Sequence, residues 1–210
     1  MFYKGGNMTH PKLLNRHEFE AALTKLEDTS PLAMAAIDID HFLEINETFG
    51  HPGGDTVLRS LERTLVGSVS SDALVARYGG DEYVIALPDT TAEAALIVME
   101  EIRAHFSSRE ASPQVPRRIG ISIGIAARPQ HGKTGTDLKR AADEALYRAK
   151  RERRGSVAIF VEDRMTLKSN YYPKAMLEKL GKLSTRTGRT EASLLREALE
   201  DLMGKYKDEL

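Results

Sequence analysis

Apolar positions along the chain recur with two alternating periods, and the switches between them outline the elements. Phe19, Ala22, Leu23 and Leu26 fall at helical spacing and predict an opening helix over 16–26. An unbroken apolar run from Leu32 to Ile37 enters Asp38-Ile39-Asp40, which predicts a strand over 32–39 buried on both faces. A short helix over 41–49 is expected to end at Gly50. Pro52-Gly53-Gly54-Asp55 is expected to be a loop whose acid caps a helix over 55–67. Two apolar runs, Ala73 to Ala76 and Val84 to Leu87, flank Arg77-Tyr78-Gly79-Gly80-Asp81-Glu82-Tyr83 and predict a β-hairpin. Ala95, Leu96, Met99, Ile102 and Phe106 share one face of a helix over 92–106. A strand over 119–126, a helix over 136–152 and a strand over 157–161 follow. Helices interleaved with strands, one hairpin included, imply an α/β class: a palm-like mixed sheet flanked by helices rather than a purely parallel one.

After Val161 the pattern changes, which divides the chain into residues 1–163 and a β-α-α module at 164–210. A short strand is expected at 165–172, then a helix from Pro173 with Met176, Leu177, Leu180 and Leu183 inward. Gly188 ends it, Thr190 caps the next, and Leu194, Leu195, Ala198, Leu199 and Leu202 form a second stripe. So small a module cannot bury a core alone, so dimerisation or docking is required. Its ten Lys/Arg and seven Asp/Glu give +3 and leave −4 for residues 1–163.

Composition narrows the function classes. A net charge of −1, from 30 basic and 31 acidic residues, provides no global attraction to nucleic acid or membrane, so any polyanion site is local. The absence of Cys excludes disulfides and thiolate metal sites. No apolar run approaches the roughly 20 residues that span a bilayer, and the first residues lack a signal-peptide core. A cytoplasmic protein without membrane association is expected.

The candidate chemistry is acidic. Glycines at the hairpin tip let phosphate oxygens approach the main chain, and adjacent carboxylates suit hard divalent cations. Asp38 and Asp40 stand at a strand end, where ligands bind in α/β sheets. If the hairpin lies beside that strand, Asp38, Asp81 and Glu82 converge. The plainer alternatives are a solvated Gly-Gly-Asp turn, and acids that only cap the helix at Phe42. His41 and His51 are assigned to loop and helix-start structure, since no second His or Cys completes a metal set. Lys150 and Arg154 are either phosphate ligands or a basic face favoured by a helix C-terminus.

These residues together resemble the GGDEF domain of diguanylate cyclases, over about 13–161. The signature stands as Gly79-Gly80-Asp81-Glu82-Tyr83, supported by Asp38-Ile39-Asp40-His41-Phe42, Ile45 to His51, Gly54-Asp55, Ser122-Ile123-Gly124, and Ala142 to Lys150 with Arg154. The resemblance implies that Asp38, the Ile39 carbonyl and Asp81 hold Mg²⁺ (or Mn²⁺) on the triphosphate of GTP. It implies that Glu82 assists deprotonation of the attacking 3′-hydroxyl or ligates the metal. Asn46 and Asp55 would read guanine, with Leu58 lining the base pocket. Gly79, Gly80, Lys150, Arg154 and the main chain of His41, Phe42 and Leu43 would meet phosphates.

The chain departs from that family at several points. Leu43 replaces a usual Lys, and Tyr83 a usual Phe. The entry motif falls on Met8 to Arg16, of which only the end, Leu13-Leu14-Asn15-Arg16, survives; it normally joins an upstream sensor, and no sensor of domain size is expected before it here. The product-inhibition pair falls on Ser70 and Ala73, so feedback through that site is not expected. Residues 173–202 resemble a ribbon-helix-helix module, whose strands pair across a dimer and enter the DNA major groove. If the strand alternates from Pro173 as in that family, Tyr171, Ser169 and Leu167 face out; a shift by one exposes Lys168 and Asn170. The leading expectation is a homodimeric cyclase joining two GTP into cyclic di-GMP. The rivals are a nucleotide-sensing regulator that binds DNA through 164–210, and a cyclase of ATP, which Asp55 disfavours.

Overall fold

The computed structural model describes residues 10–26, 31–108, 110–161, 172–187 and 190–207, and the chain divides into two compact units, 1–162 and 163–210. In the first unit the elements run β1 (Leu13–Asn15), α1 (Arg16–Leu23), β2 (Leu32–Ile39), α2 (Phe42–Ser68), β3 (Leu74–Arg77), β4 (Glu82–Pro88) and α3 (Ala92–Ser107). They continue with β5 (Glu110–Ser112), β6 (Val115–Arg118), β7 (Ile121–Arg128), α4 (Gly135–Arg153) and β8 (Val157–Ile159).

Six strands form one mixed sheet in the order β1-β3-β4-β2-β7-β8, and β5 and β6 form a separate ribbon. The central strand β2 pairs antiparallel with β4 and β7, while β1 and β8 join the edges in parallel. β2 is buried along its whole length, which is why its apolar run has no polar alternation. Its odd residues, Ala33 to Ile39, pack against α2 and α3 through Leu61, Leu65, Met99 and Ile102. Its even residues, Leu32, Met34 and Ala36, pack against α1 and α4 through Phe19, Leu138 and Ala142. The sheet is therefore a filled three-layer sandwich whose acids sit where β2 runs out of cover.

Two expectations are corrected here. The predicted break at 50–55 is a kink rather than a loop. Helix α2 runs from Phe42 to Ser68 with non-helical geometry at Gly50 alone, where φ is 69° and ψ 170°. Pro52 is accommodated because proline's fixed φ suits a first helical turn, so it starts the second helical segment instead of preceding it. Asp55 consequently lies inside the helix and caps nothing. The second correction concerns strands too short to carry a period: β1 and the β5–β6 ribbon were not foreseen.

The second unit contains α5 (Lys174–Thr187) and α6 (Glu191–Lys205), which pack against each other. No residue of α5 is buried, and Met176, Leu177, Leu195, Leu199 and Leu202 are exposed. The strand expected at 165–172 falls, Tyr172 aside, outside the described residues. Among the described residues no helix is long and apolar enough to cross a membrane.

Candidate active site

Strand register assembles the acids. Asp38 near the end of β2 lies directly opposite Glu82 on β4 and opposite Ser122 on β7. Alternation puts all three on the face covered by α4, while the side chains of Ile37 and Ile39 enter the other layer. Only the main chain of Ile39 is thus available to a ligand. Asp81 completes the tip of the hairpin, close enough for its charge to act on Asp38. Among the described residues no hydrogen bond or ion pair engages the carboxylates of Asp81 or Glu82. The hairpin is closed by the amides of Tyr78 and Gly79, which donate to the Glu82 carbonyl at 2.8 and 3.2 Å.

Helix α4 brings the cations. Gly124 on β7 makes this possible, because a Cβ there would lie 2.1 Å from the Ala142 carbonyl oxygen and from the Leu146 nitrogen. With the helix this close to the sheet, Lys150 Nζ stands 2.6 Å from Asp38 Oδ1. Burial pushes the Asp38 carboxyl above the usual carboxylate range; Lys150 opposes that rise, and the charges of Asp81 and Asp40 add to it. Arg154, the residue that leaves the helix, places Nη1 3.8 Å from Asp40 Oδ1.

Asp40 does not cap α2. The N-cap is His41, in the left-handed region at φ 58° and ψ 33°, with Nδ1 2.7 Å from Glu44 Oε1 and no side-chain bond to the helix amides. The Asp40 carboxylate is buried, accepts a bond from Ser122 Oγ at 2.7 Å, and meets Arg154. Ser122 Oγ in turn accepts from the Gly155 amide at 3.1 Å. Asp40 thus ties β7 and the end of α4 to the corner, a role no local pattern announced.

The kink at Gly50 organises the other expected subsite. A Cβ on Gly54 would lie 2.0 Å from Asn46 Oδ1, a contact that a straight helix, with about 12 Å between positions eight apart, could not make. Asn46 therefore rests against the bare backbone of Gly54, the residue before Asp55. Leu58 faces inward, 4% exposed, as part of the core under the helix. At the start of α2, Phe42 is half-buried and Leu43 is 71% exposed, an apolar side chain where phosphate would be expected.

Among the described residues no three carboxylate or imidazole groups gather into a ready-made metal cage. The oxygen groups at this corner are the carboxylate of Asp38, that of Asp81 within electrostatic reach of it, and the main chain at Ile39. That donor set fits a hard divalent cation that completes its shell with water and phosphate oxygens.

A central strand ending in acids, an acid-tipped hairpin beside it, and a helix delivering cations define a palm-like nucleotide-cyclase fold. The family model described as "Diguanylate cyclase, GGDEF domain" matches residues 9–156. The response regulator PleD of Caulobacter vibrioides is 41% identical over 130 residues, 60% of this chain and 29% of that protein. Diguanylate cyclase A of Treponema denticola is 32% identical over 177 residues, 80% of this chain and 45% of its own. The solved active GGEEF domain of a Vibrio cholerae diguanylate cyclase superposes with a TM-score of 0.66 at 33% identity, covering 72% of this chain and 99% of that one. The chain belongs to the GGDEF, or diguanylate cyclase, family. It spans less than half the length of the two curated relatives.

Proposed function

We propose that this chain condenses two molecules of GTP into cyclic di-GMP and pyrophosphate across a homodimer. The observation that carries this reading is the row Glu82, Asp38, Ser122 across three strands, with Asp81 beside it and Lys150 on Asp38. In each half-reaction a 3′-hydroxyl attacks the α-phosphorus of the facing GTP, the new P–O bond forms and pyrophosphate leaves. Glu82, solvent-facing at the tip, takes up the hydroxyl proton or shares in holding the cation. Asp38, Asp81 and the Ile39 carbonyl would hold a divalent cation, Mg²⁺ or Mn²⁺, which when bound would offset phosphate charge and acidify the hydroxyl. Lys150 neutralises Asp38 in the free protein and transfers to phosphate once substrate arrives; Arg154 keeps Asp40 in place and adds positive potential. The Asp55 carboxylate accepts from the N1–H and N2–H₂ edge of guanine, and Asn46 offers both a donor and an acceptor to the base. Gly79, Gly80 and the first amides of α2 lie against phosphate oxygens.

One domain holds one GTP, so catalysis needs two copies facing each other. A 164–210 module of ribbon-helix-helix type, dimerising through α5 and α6, would raise the effective concentration of the second half-site. Ser70 and Ala73, a turn closed by a 3.1 Å bond from the Ala73 amide to the Ser70 carbonyl, offer neither guanidinium nor carboxylate, so feedback through that site is absent. Nothing among the described residues or the matched proteins favours a DNA-reading regulator.

The test is to incubate wild type, Asp81→Ala and a truncation after Val161 with GTP and Mg²⁺ and to separate the products. Cyclic di-GMP from wild type, none from Asp81→Ala, and reduced yield from dilute truncated protein are expected. No cyclic dinucleotide from wild type at any protein concentration would sink the reading.

A further inference from the structure

Behind the hairpin, on the face away from Lys150, lies a second polar network that the reaction scheme does not use. Arg77 and Tyr83 are opposite each other in the β3–β4 register, directly below the catalytic turn. Tyr83 is fully buried, and its hydroxyl donates to Glu62 Oε1 at 3.1 Å. Arg77 Nη1 stands 3.6 Å from the same oxygen. The rest of that guanidinium reaches over the turn: Nε and Nη2 donate to the Gly80 carbonyl at 3.0 and 2.6 Å, and Nε also to the Gly79 carbonyl at 3.3 Å.

We propose that Glu62 is a positioning residue for the catalytic turn, fixed by the Tyr83 hydroxyl and acting through Arg77. This rests on the cyclase reading given above. A Gly-Gly turn is the most entropically costly backbone to hold in one shape, and here both glycines are exposed. Inside the turn only the amides of Tyr78 and Gly79 bind the Glu82 carbonyl, which leaves the carbonyls of Gly79 and Gly80 to be held from outside. A planar guanidinium can hold both, provided its own plane is fixed. Glu62 fixes it from α2, and Tyr83 fixes Glu62 from within the core. The hydroxyl that distinguishes Tyr83 from the family's usual Phe is therefore engaged rather than merely tolerated. Burial and the neighbouring Glu62 charge both keep that hydroxyl protonated, so it remains a donor across the working pH range.

The brace has a second consequence. Glu62 lies two helical turns beyond Asp55 on the same helix, so the residues that face guanine and the turn that faces phosphate are mechanically joined through α2. A shift of about 1 Å in such a turn is enough to cost up to ~100-fold in rate.

The full chain is compared as wild type, Glu62→Gln, Glu62→Asp and Tyr83→Phe, with two readouts. The first is hydrogen exchange of the 78–82 amides, which needs no activity. Glu62→Gln is expected to speed it about fivefold or more while exchange in the 84–87 strand stays unchanged, the mark of local rather than global loosening. The second is steady-state turnover: kcat about tenfold lower with KM for GTP nearly constant, partial recovery in Glu62→Asp, and about a threefold loss in Tyr83→Phe. Unchanged turn exchange, equal acceleration across 84–87, or faster exchange with unchanged kcat each overturn the proposal. If wild type forms no cyclic product, the exchange readout alone decides the brace and the cyclase reading falls separately.

Discussion

Helices α4 and α5 have the same kind of amphipathic pattern and opposite fates. In α4 the apolar stripe of Leu138, Ala141, Ala142, Ala145 and Ala149 is buried against a sheet whose Gly124 lets it approach. In α5 the stripe of Met176, Leu177 and Leu183 stays in solvent, as does that of Leu199 and Leu202 in α6. Helical periodicity states which face wants cover, and only the surroundings supply it. The first unit has a six-stranded sheet with two faces to offer, whereas two short helices offer each other too little area. The difference teaches that an apolar stripe is buried only where a neighbouring surface is large enough to cover it: the sheet covers that of α4, while that of α5 stays exposed.

The sharpest way to break this contrast is at the corner itself. Asp38→Asn is expected to reduce product formation at least about thousandfold, a loss of some 4 kcal/mol in transition-state stabilisation, while leaving association of the chain unchanged. Stability should move the other way. Burial raises the folded-state pKa of Asp38, so the folded protein binds that proton more tightly than the unfolded chain. Its contribution is most favourable at low pH and is lost as pH rises through the raised value. At neutral pH the ionised carboxylate is a cost that Asn removes, and the melting temperature should hold or rise. A marked drop would show Asp38 to be a structural ion-pair partner of Lys150 instead.

Next in size is a matched pair of truncations. Leu61→Ala, in the buried core, should cost about 2–5 kcal/mol of unfolding free energy by denaturant titration. Leu199→Ala, exposed at 57%, should leave unfolding of the first unit unchanged and instead shift sedimentation toward monomer. Equal destabilisation by the two would erase the distinction between the units.

A smaller effect, and a gain, is expected from Leu43→Lys. Restoring a charge at the start of α2 should lower KM for GTP about three- to tenfold, within the ~1.4 kcal/mol typical of one partly exposed charge–phosphate contact. An unchanged KM would place the phosphates away from this helix start.

The smallest concerns His131, whose Nδ1 accepts a bond from the Ala127 amide at 2.9 Å. Burial lowers its pKa, with Glu93 opposing. The folded state therefore favours neutral imidazole, and its contribution is present above the ordinary His value of about 6.5 and lost as pH falls through the lower folded value. Unfolding free energy should decline modestly below about pH 6.5, and His131→Gln should flatten that decline.

Much of the site could be read in advance. The hairpin, the strand into Asp38 and the helix bearing Lys150 each repeat one period for long enough to be recognised, and carboxylates at a strand end are chemically conspicuous. Gly50-His51-Pro52-Gly53-Gly54 misled because breakers mark a break without saying how wide it is. The network of Asp40 was invisible because its partner Ser122 is 82 residues away. Glu62 was silent for the same reason: on a helix it is one more polar residue until Tyr83 and Arg77 arrive beneath it.

By itself the sequence determined the α/β class, the main elements of the first unit, the acidic tip at Asp81 and Glu82, and the apolar stripes of the tail. These follow from periods of two and 3.6 and from the backbone freedom of glycine, all local properties. Only the tertiary structure decided that Asp38 faces Glu82, that Lys150 rests on Asp38, that a kink seats Asn46 against Gly54, and that Glu62 reaches the Gly79-Gly80 turn through Arg77. Those facts depend on strand register and on helices lying close over a sheet, where residues far apart in the chain share low-dielectric space and must satisfy one another's charges.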